Sequence, residues 1–283
     1  MARFERDGVT LAYDDTGEDD LTPVLMLHGL SSARSTWDPL TWALGGEYRV
    51  LALDHRGHGE SSHAPGTYDL DHYGPDTIAF GEEVVGRPAL LVGHSLGGVI
   101  AAYVGRERPD LAGAVVLEDP PLYRGDPAEA TTSRIAAFFP VLRRLLADLQ
   151  ARSAQLEDYE AMLRSAPALN GSGTMADVLG PHGTRAQARA WASLDPEVFT
   201  PAIDGSALRG AHPEGPLKCP AWVLRADPSL GAAFTPEDEA RFLATNPDAT
   251  VELVGGASHV IHDEQPGRML EVVRRALAGI GAS

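Results

Sequence analysis

Six short apolar runs, at residues 24–27, 50–53, 90–92, 114–117, 222–224 and 251–254, constrain this chain more than any other feature, because each is closed off by Gly, Pro, Asp or His. Runs of that length, apolar throughout except for Glu252 in the last, suit strands buried on both faces of a parallel sheet. Helix-compatible stretches lie between them, clearest at residues 97–106 and at residues 269–277, where Leu270, Val273 and Leu277 recur at helical spacing. This alternation predicts an α/β fold with a mostly parallel central sheet flanked by helices. Ahead of it, Val9, Leu11 and Tyr13 alternate behind a turn at Asp7-Gly8, which predicts an opening hairpin.

The alternation breaks between residues 122 and 217, where no buried strand is legible. The expected organisation is therefore a core of residues 1–121 and 218–283 that carries an inserted helical cap at residues 122–217. Within the insertion, Ile135, Phe138, Phe139, Leu142, Leu145, Leu146 and Leu149 follow i, i+3, i+4 spacing, which predicts an amphipathic helix or helix pair with Pro140 as kink or junction. Gly171, Gly173, Gly180, Pro181 and Gly183 mark a loop-rich stretch, read as a hinge, a pocket rim or a plain surface loop. No internal repeat or low-complexity tract interrupts this order.

Composition narrows the partners. The chain's 40 acidic residues against 23 Lys and Arg give a formal charge of -17, which argues against an electrostatic nucleic-acid binder. A single cysteine, Cys219, excludes an intrachain disulfide and any Cys-rich metal centre. The first twenty residues hold no apolar leader segment and no window approaches about 18 uninterrupted apolar residues, so export and membrane spanning are disfavoured and a cytoplasmic protein is expected.

The sharpest local signal is Gly93-His94-Ser95-Leu96-Gly97-Gly98, directly after an apolar run and directly before a helix-compatible one. A serine held on a tight strand-to-helix turn needs residues without bulk two positions to either side, and Gly93 and Gly97 meet that need. The following helix directs free N–H groups and its positive dipole end at Ser95, which favours anionic intermediates. A second apolar run ends in His28-Gly29-Leu30, the place for the other oxyanion donor, so the backbone N–H groups of Leu30 and Leu96 are the expected oxyanion hole. His28 is expected to shape that loop through its ring nitrogens rather than to move protons. After the last apolar run, Gly255-Gly256-Ala257-Ser258-His259 places His259 as the general base, with His262 as a structural or solvated neighbour.

By these residues the chain resembles the α/β-hydrolase fold family over nearly its whole length. Asp54-His55-Arg56-Gly57-His58-Gly59-Glu60-Ser61 is similar to that family's loop after strand four, so the Asp54-xxx-His58 spacing is not read as a metal site. Neither glycine cluster matches a dinucleotide fingerprint, and no cofactor and no metal are implied. The resemblance leaves the triad acid open. The commonest family pattern puts it about three residues after strand seven, where this chain has Ser229, with Asp227 two positions early. Relatives such as haloalkane dehalogenases and zearalenone-type lactonases carry the acid at the end of strand six, here Glu118-Asp119. Glu118 is the favoured acid, because Asp119 is one residue on and strand alternation would turn it to another face. Asp227 and Asp119 are the alternatives.

A serine nucleophile implies hydrolysis of a small-molecule ester or lactone by way of an acyl-enzyme. The insertion's Phe138, Phe139, Leu142 and Trp191, with Leu145 and Leu163, predict an apolar substrate pocket, while Arg143-Arg144 is read as a solvated helix face. Carbon–carbon hydrolysis of a vinylogous diketone and cofactor-free perhydrolysis share the same triad. A ligand-binding protein on a hydrolase scaffold is the reading from another class, disfavoured because a receptor needs no nucleophile. Oligomeric state is not legible.

Overall fold

A computed structural model of the protein describes residues 1–17, 19–124 and 134–280, with side chains from residue 137 onward in the last segment. Strands β1 (Ala2–Arg6) and β2 (Val9–Asp15) form the opening hairpin. Its turn uses Asp7 at φ 51° and Gly8 at φ 79°, the paired positive φ values that match the twist of two-residue hairpins. The apolar runs become β3 (Pro23–Leu27), β4 (Arg49–Leu53), β5 (Ala89–His94), β6 (Ala112–Glu118), β7 (Ala221–Ala226) and β8 (Thr250–Val254). They assemble in the order β1-β2-β4-β3-β5-β6-β7-β8. From β4 to β8 every pairing is parallel, and β1 and β2 run antiparallel along one edge.

Helices α1 (Asp38–Leu44), α2 (Leu70–Phe80) and α3 (Leu96–Glu107) lie between these strands. The central strands bury both faces, whereas the last run does not meet that expectation: β8 is an edge strand and Leu253 is 53% exposed. On one face, Leu25, Leu27, Leu91 and Leu117 meet α2 and α3 through Phe80 and Ile100. On the other, Val24, Met26, Ala114 and Val116 meet Trp37, Leu40 and the last helix.

Between β6 and β7 the described chain is helical: α4 (Arg134–Ala151), α5 (Leu156–Ser165), α6 (Met175–Ser193) and α7 (Thr200–Asp204). The amphipathic pattern forms one helix, α4, which continues through Pro140 instead of parting there. Leu142, Leu146 and Leu149 are buried while Phe138 and Leu145 stay exposed; the side chain of Ile135 lies outside the described residues. The expected loop at residues 180–183 is a correction, since the helical path of α6 passes through it and is broken only at Gly180, where φ 65° and ψ 177° leave helical space. Gly180 supplies the conformation an L-residue resists, and Pro181 restarts the helix at a position where its missing N–H is not needed. Gly171 and Gly173 do lie in a loop, between Pro167 and Thr174. After β7 follow α8 (Pro236–Thr245), α9 (Ile261–Glu264) and α10 (Pro266–Ile280). No described helix is long and apolar enough to cross a membrane.

Candidate active site

Strand order decides which loops meet. β5 lies between β3 and β6, with Leu27 beside Gly93 and His94 beside Glu118. The His28-Gly29-Leu30 loop and the Glu118-Asp119 corner therefore flank the turn that carries Ser95.

Ser95 adopts φ 51° and ψ -115°, a conformation rare for a residue with a side chain. Such strain costs of order 1–3 kcal/mol and persists only where the surroundings enforce it. They do so here: the Ser95 N–H donates to the Glu118 carbonyl at 2.9 Å, and its own carbonyl accepts the Val99 N–H at 3.1 Å. A Cβ on Gly97 would run into the Leu27 carbonyl, and one on Gly93 into the backbone of Gly97. The elbow closes only with hydrogen at both positions.

Two chambers share Ser95, His259, Leu30 and Phe139 as lining residues. The larger, of about 180 Å³, is walled by Phe138, Leu142, Val178 and Trp191. The smaller, of about 90 Å³, is walled by Tyr68, Tyr73, Leu208 and Ala233, and Leu96 reaches it beside Leu30. Of the six positions named from the sequence, Phe138, Phe139, Leu142 and Trp191 thus line the larger chamber, whereas Leu145 and Leu163 do not. Arg143 pairs with Glu197 on an exposed face.

The carboxylate assignment requires a correction. His259 Nδ1–H donates to Asp119 Oδ2 at 2.7 Å, not to Glu118. Asp119 is fully buried and also accepts the N–H groups of Ala233 at 2.7 Å, Phe234 at 3.1 Å and Ala226 at 3.3 Å. Strand alternation fails to locate it because β6 ends at Glu118 and Asp119 turns to φ 42°, so period-two counting no longer applies. Glu118 obeys the alternation and falls on the face of Ala114 and Val116. There its carboxylate takes His262 Nδ1–H at 2.9 Å and the His262 N–H at 2.8 Å. Asp227 is engaged elsewhere, accepting from Ser229 N–H at 2.9 Å, Ser229 Oγ–H at 2.6 Å and Gly256 N–H at 3.0 Å. These bonds hold its carboxyl below the usual range.

The histidines sort by environment. His28 is fully buried; its Nε2 accepts the His55 N–H at 3.1 Å, so Nδ1 carries the proton and donates to the Gly29 carbonyl at 2.8 Å. Burial, with His55 and His58 beside it, drives its pKa well below the ordinary value, and His55 is pushed down to about 3 by the same burial. His58 Nε2 lies 2.8 Å from the Leu30 carbonyl oxygen and fixes that peptide. Asp54 receives N–H groups from Arg34 at 2.7 Å and Glu60 at 3.0 Å together with the Arg34 guanidinium. It braces a loop and has no oxygen to spare for a cation. Among the described residues, His94, Glu118 and His262 approach closely enough to share a metal ion; here His262 Nδ1 lies 2.9 Å from the Glu118 carboxylate.

Two contacts escaped the sequence. Gln187 Nε2–H and Trp191 Nε1–H, both on α6, donate to the Ser31 carbonyl at 2.8 and 3.0 Å. They tie the helical segment to the loop beside Leu30, a long-range pairing that no local pattern announces.

Sequence comparison agrees with this architecture. The Alpha/beta hydrolase family pattern matches residues 24–272. The chain is 38% identical over 113 residues to the non-heme chloroperoxidase of Streptomyces lividans, covering 39% of this chain and 41% of that one. It is 38% identical over 114 residues to the bifunctional esterase/perhydrolase DCH of Acinetobacter calcoaceticus, covering 40% and 41%. The matches thus span about two-fifths of these relatives' length. A thermophilic esterase from Thermogutta terrifontis superposes with TM-score 0.72 at 24% identity, over 99% of both chains. With strand order, elbow and sequence pattern in agreement, the chain belongs to the Alpha/beta hydrolase family.

Proposed function

We propose that the protein is a serine hydrolase that cleaves a carboxylic ester or lactone of a small, largely apolar substrate through an acyl-enzyme. One observation carries the reading: Ser95, strained at the end of the central strand, shares both chambers with His259, whose far nitrogen is held by the fully buried Asp119. Ser95 Oγ attacks the acyl carbonyl while His259 Nε2 takes its proton, and Asp119 holds the Nδ1–H tautomer and stabilises the imidazolium that forms. The N–H groups of Leu30 and Leu96 receive the oxyanion. His259 then returns the proton to the leaving oxygen, and water, activated by the same base, releases the acid. The helices of residues 122–217 act as the cap, with Phe138, Phe139, Leu142 and Trp191 contacting the larger arm of the substrate.

Hydrolysis of a panel of nitrophenyl esters, aryl esters and small and macrocyclic lactones, compared between wild type and Ser95→Ala, tests this. Ser95-dependent turnover is expected; equal rates in the two proteins overturn the reading. The similarity to the bifunctional esterase/perhydrolase supports perhydrolysis as a second reaction of the same acyl-enzyme, with hydrogen peroxide in place of water. Peroxide-dependent peracid formation that vanishes in Ser95→Ala would establish it.

A further inference from the structure

Asp119 and its preceding residue both leave β6 toward one short turn. Asp119 holds His259, and Glu118 holds His262, three residues further on. The second pair is the more enclosed: Glu118 is fully buried and His262 is 3% exposed. The His262 ring packs on Trp37 with centroids 4.6 Å apart. Its Nε2 lies 2.7 Å from Thr36 Oγ1 and 3.6 Å from Asp263 Oδ2. Between the two pairs sits the His94 ring, 4.7 Å from His259 and 4.9 Å from His262 by centroids. His94 Nε2–H donates to the His259 carbonyl at 2.9 Å.

We propose that Glu118 and His262 are positioning residues for His259, a buried carboxylate–imidazolium pair that pins the turn bearing the base and cancels the negative charge next to Asp119. This rests on the reading of Ser95 and His259 as nucleophile and base. Three facts support it. The Glu118 oxygen accepts both the ring and the backbone N–H of His262, so it fixes the start of α9 as well as the ring. The turn's other end is tied by Glu264, which accepts Ser258 N–H at 2.6 Å and Ser258 Oγ–H at 2.7 Å. His94, kept neutral by burial and by its two histidine neighbours, transmits contact between the pairs without adding charge.

The groups facing the His262 ring are Glu118 from β6, Thr36 and Trp37 from the turn before α1, His94 from β5, and Asp263 and Glu264 from its own helix. Three of these are acidic and none is cationic. Loss of the imidazolium therefore leaves uncompensated negative charge close to the base, and nearby negative charge favours a protonated imidazole.

The test measures kcat, KM and the pH profile of kcat/KM for wild type, Glu118→Gln, His262→Asn and the double variant, after active-site titration of each with a fluorophosphonate. Glu118→Gln is expected to lower kcat about tenfold with KM within about twofold, as for a displaced base. His262→Asn is expected to move the acid limb upward by about half a unit or more, and the double variant to move it back. A kcat and acid limb in both single variants equal to wild type overturns the proposal. Failure of wild type to react with the fluorophosphonate overturns the serine-hydrolase reading instead. If the variants do not fold, ¹⁵N-histidine NMR of the wild type decides: one buried ring protonated on both nitrogens from pH 6 to 8 supports the pair, and a neutral ring there overturns it.

Discussion

Asp119–His259 and Glu118–His262 are the same pair of chemical groups, built from adjacent residues of β6 and from one turn after β8, yet their surroundings differ. His259 reaches both chambers beside Ser95, while Asp119 is ringed by three backbone N–H donors and, among the described residues, no other ionisable side chain is hydrogen-bonded to it. His262 packs against Trp37 and His94 and faces further carboxylates. In the proposed mechanism the first pair, open to the chambers through His259, cycles a proton. The second ends on Thr36. The same acid–base chemistry thus serves turnover or anchoring according to what lies at the free imidazole nitrogen.

Variants can sharpen that comparison. The largest effect belongs to Ser95→Ala, expected to reduce kcat/KM by about 10⁴-fold or more with no loss of fold, as followed by ester hydrolysis and circular dichroism. Next is a stability effect peculiar to the second pair. The carboxylates of Glu118 and Asp263, against the opposing burial, hold His262 up at about 9 compared with 6.5 for a free histidine. A raised folded-state value means that its stabilisation is complete below pH 6.5 and is lost as pH rises through about 9. The melting temperature of the wild type should fall over that window, and Glu118→Gln should flatten the slope; an equally steep decline in that variant would refute the ion pair. Phe138→Ala, which trims an exposed wall of the larger chamber, should raise KM severalfold for bulky acyl esters and leave acetyl esters unchanged. The smallest effect is expected for Asp227→Asn, within about twofold of wild-type kcat/KM, because its carboxylate caps Ser229 and Gly256 away from the base. A hundredfold loss there would restore Asp227 as the acid.

How far the sequence reaches follows from the same residues. Each doubly buried strand was legible because its whole run is apolar, and the elbow because sterics leave only glycine at Gly93 and Gly97. Ser95 and His259, picked out by their places after strands, line the same two chambers. Asp119 was misjudged because alternation holds only inside a strand, and a positive φ just beyond the last residue reverses which way the side chain points. Around Pro140 and Gly180 local signals reach only part of the way: the helix of residues 134–151 runs on through Pro140, whereas at Gly180 the backbone does leave helical space before Pro181 starts it again. The bonds from Gln187 and Trp191 to Ser31, and the contact of His262 with Thr36, join residues more than 150 positions apart and leave no local trace.

The most direct test sets the two carboxylates against each other. Asp119→Asn and Glu118→Gln, prepared side by side and assayed for kcat/KM on one ester, should differ widely. The Asp119 variant is expected to lose about 10³-fold or more through a misplaced tautomer, and the Glu118 variant about tenfold through a less well held base. The reverse order, with Glu118→Gln the more damaged, would contradict the assignment of Asp119 as the partner of His259 in catalysis.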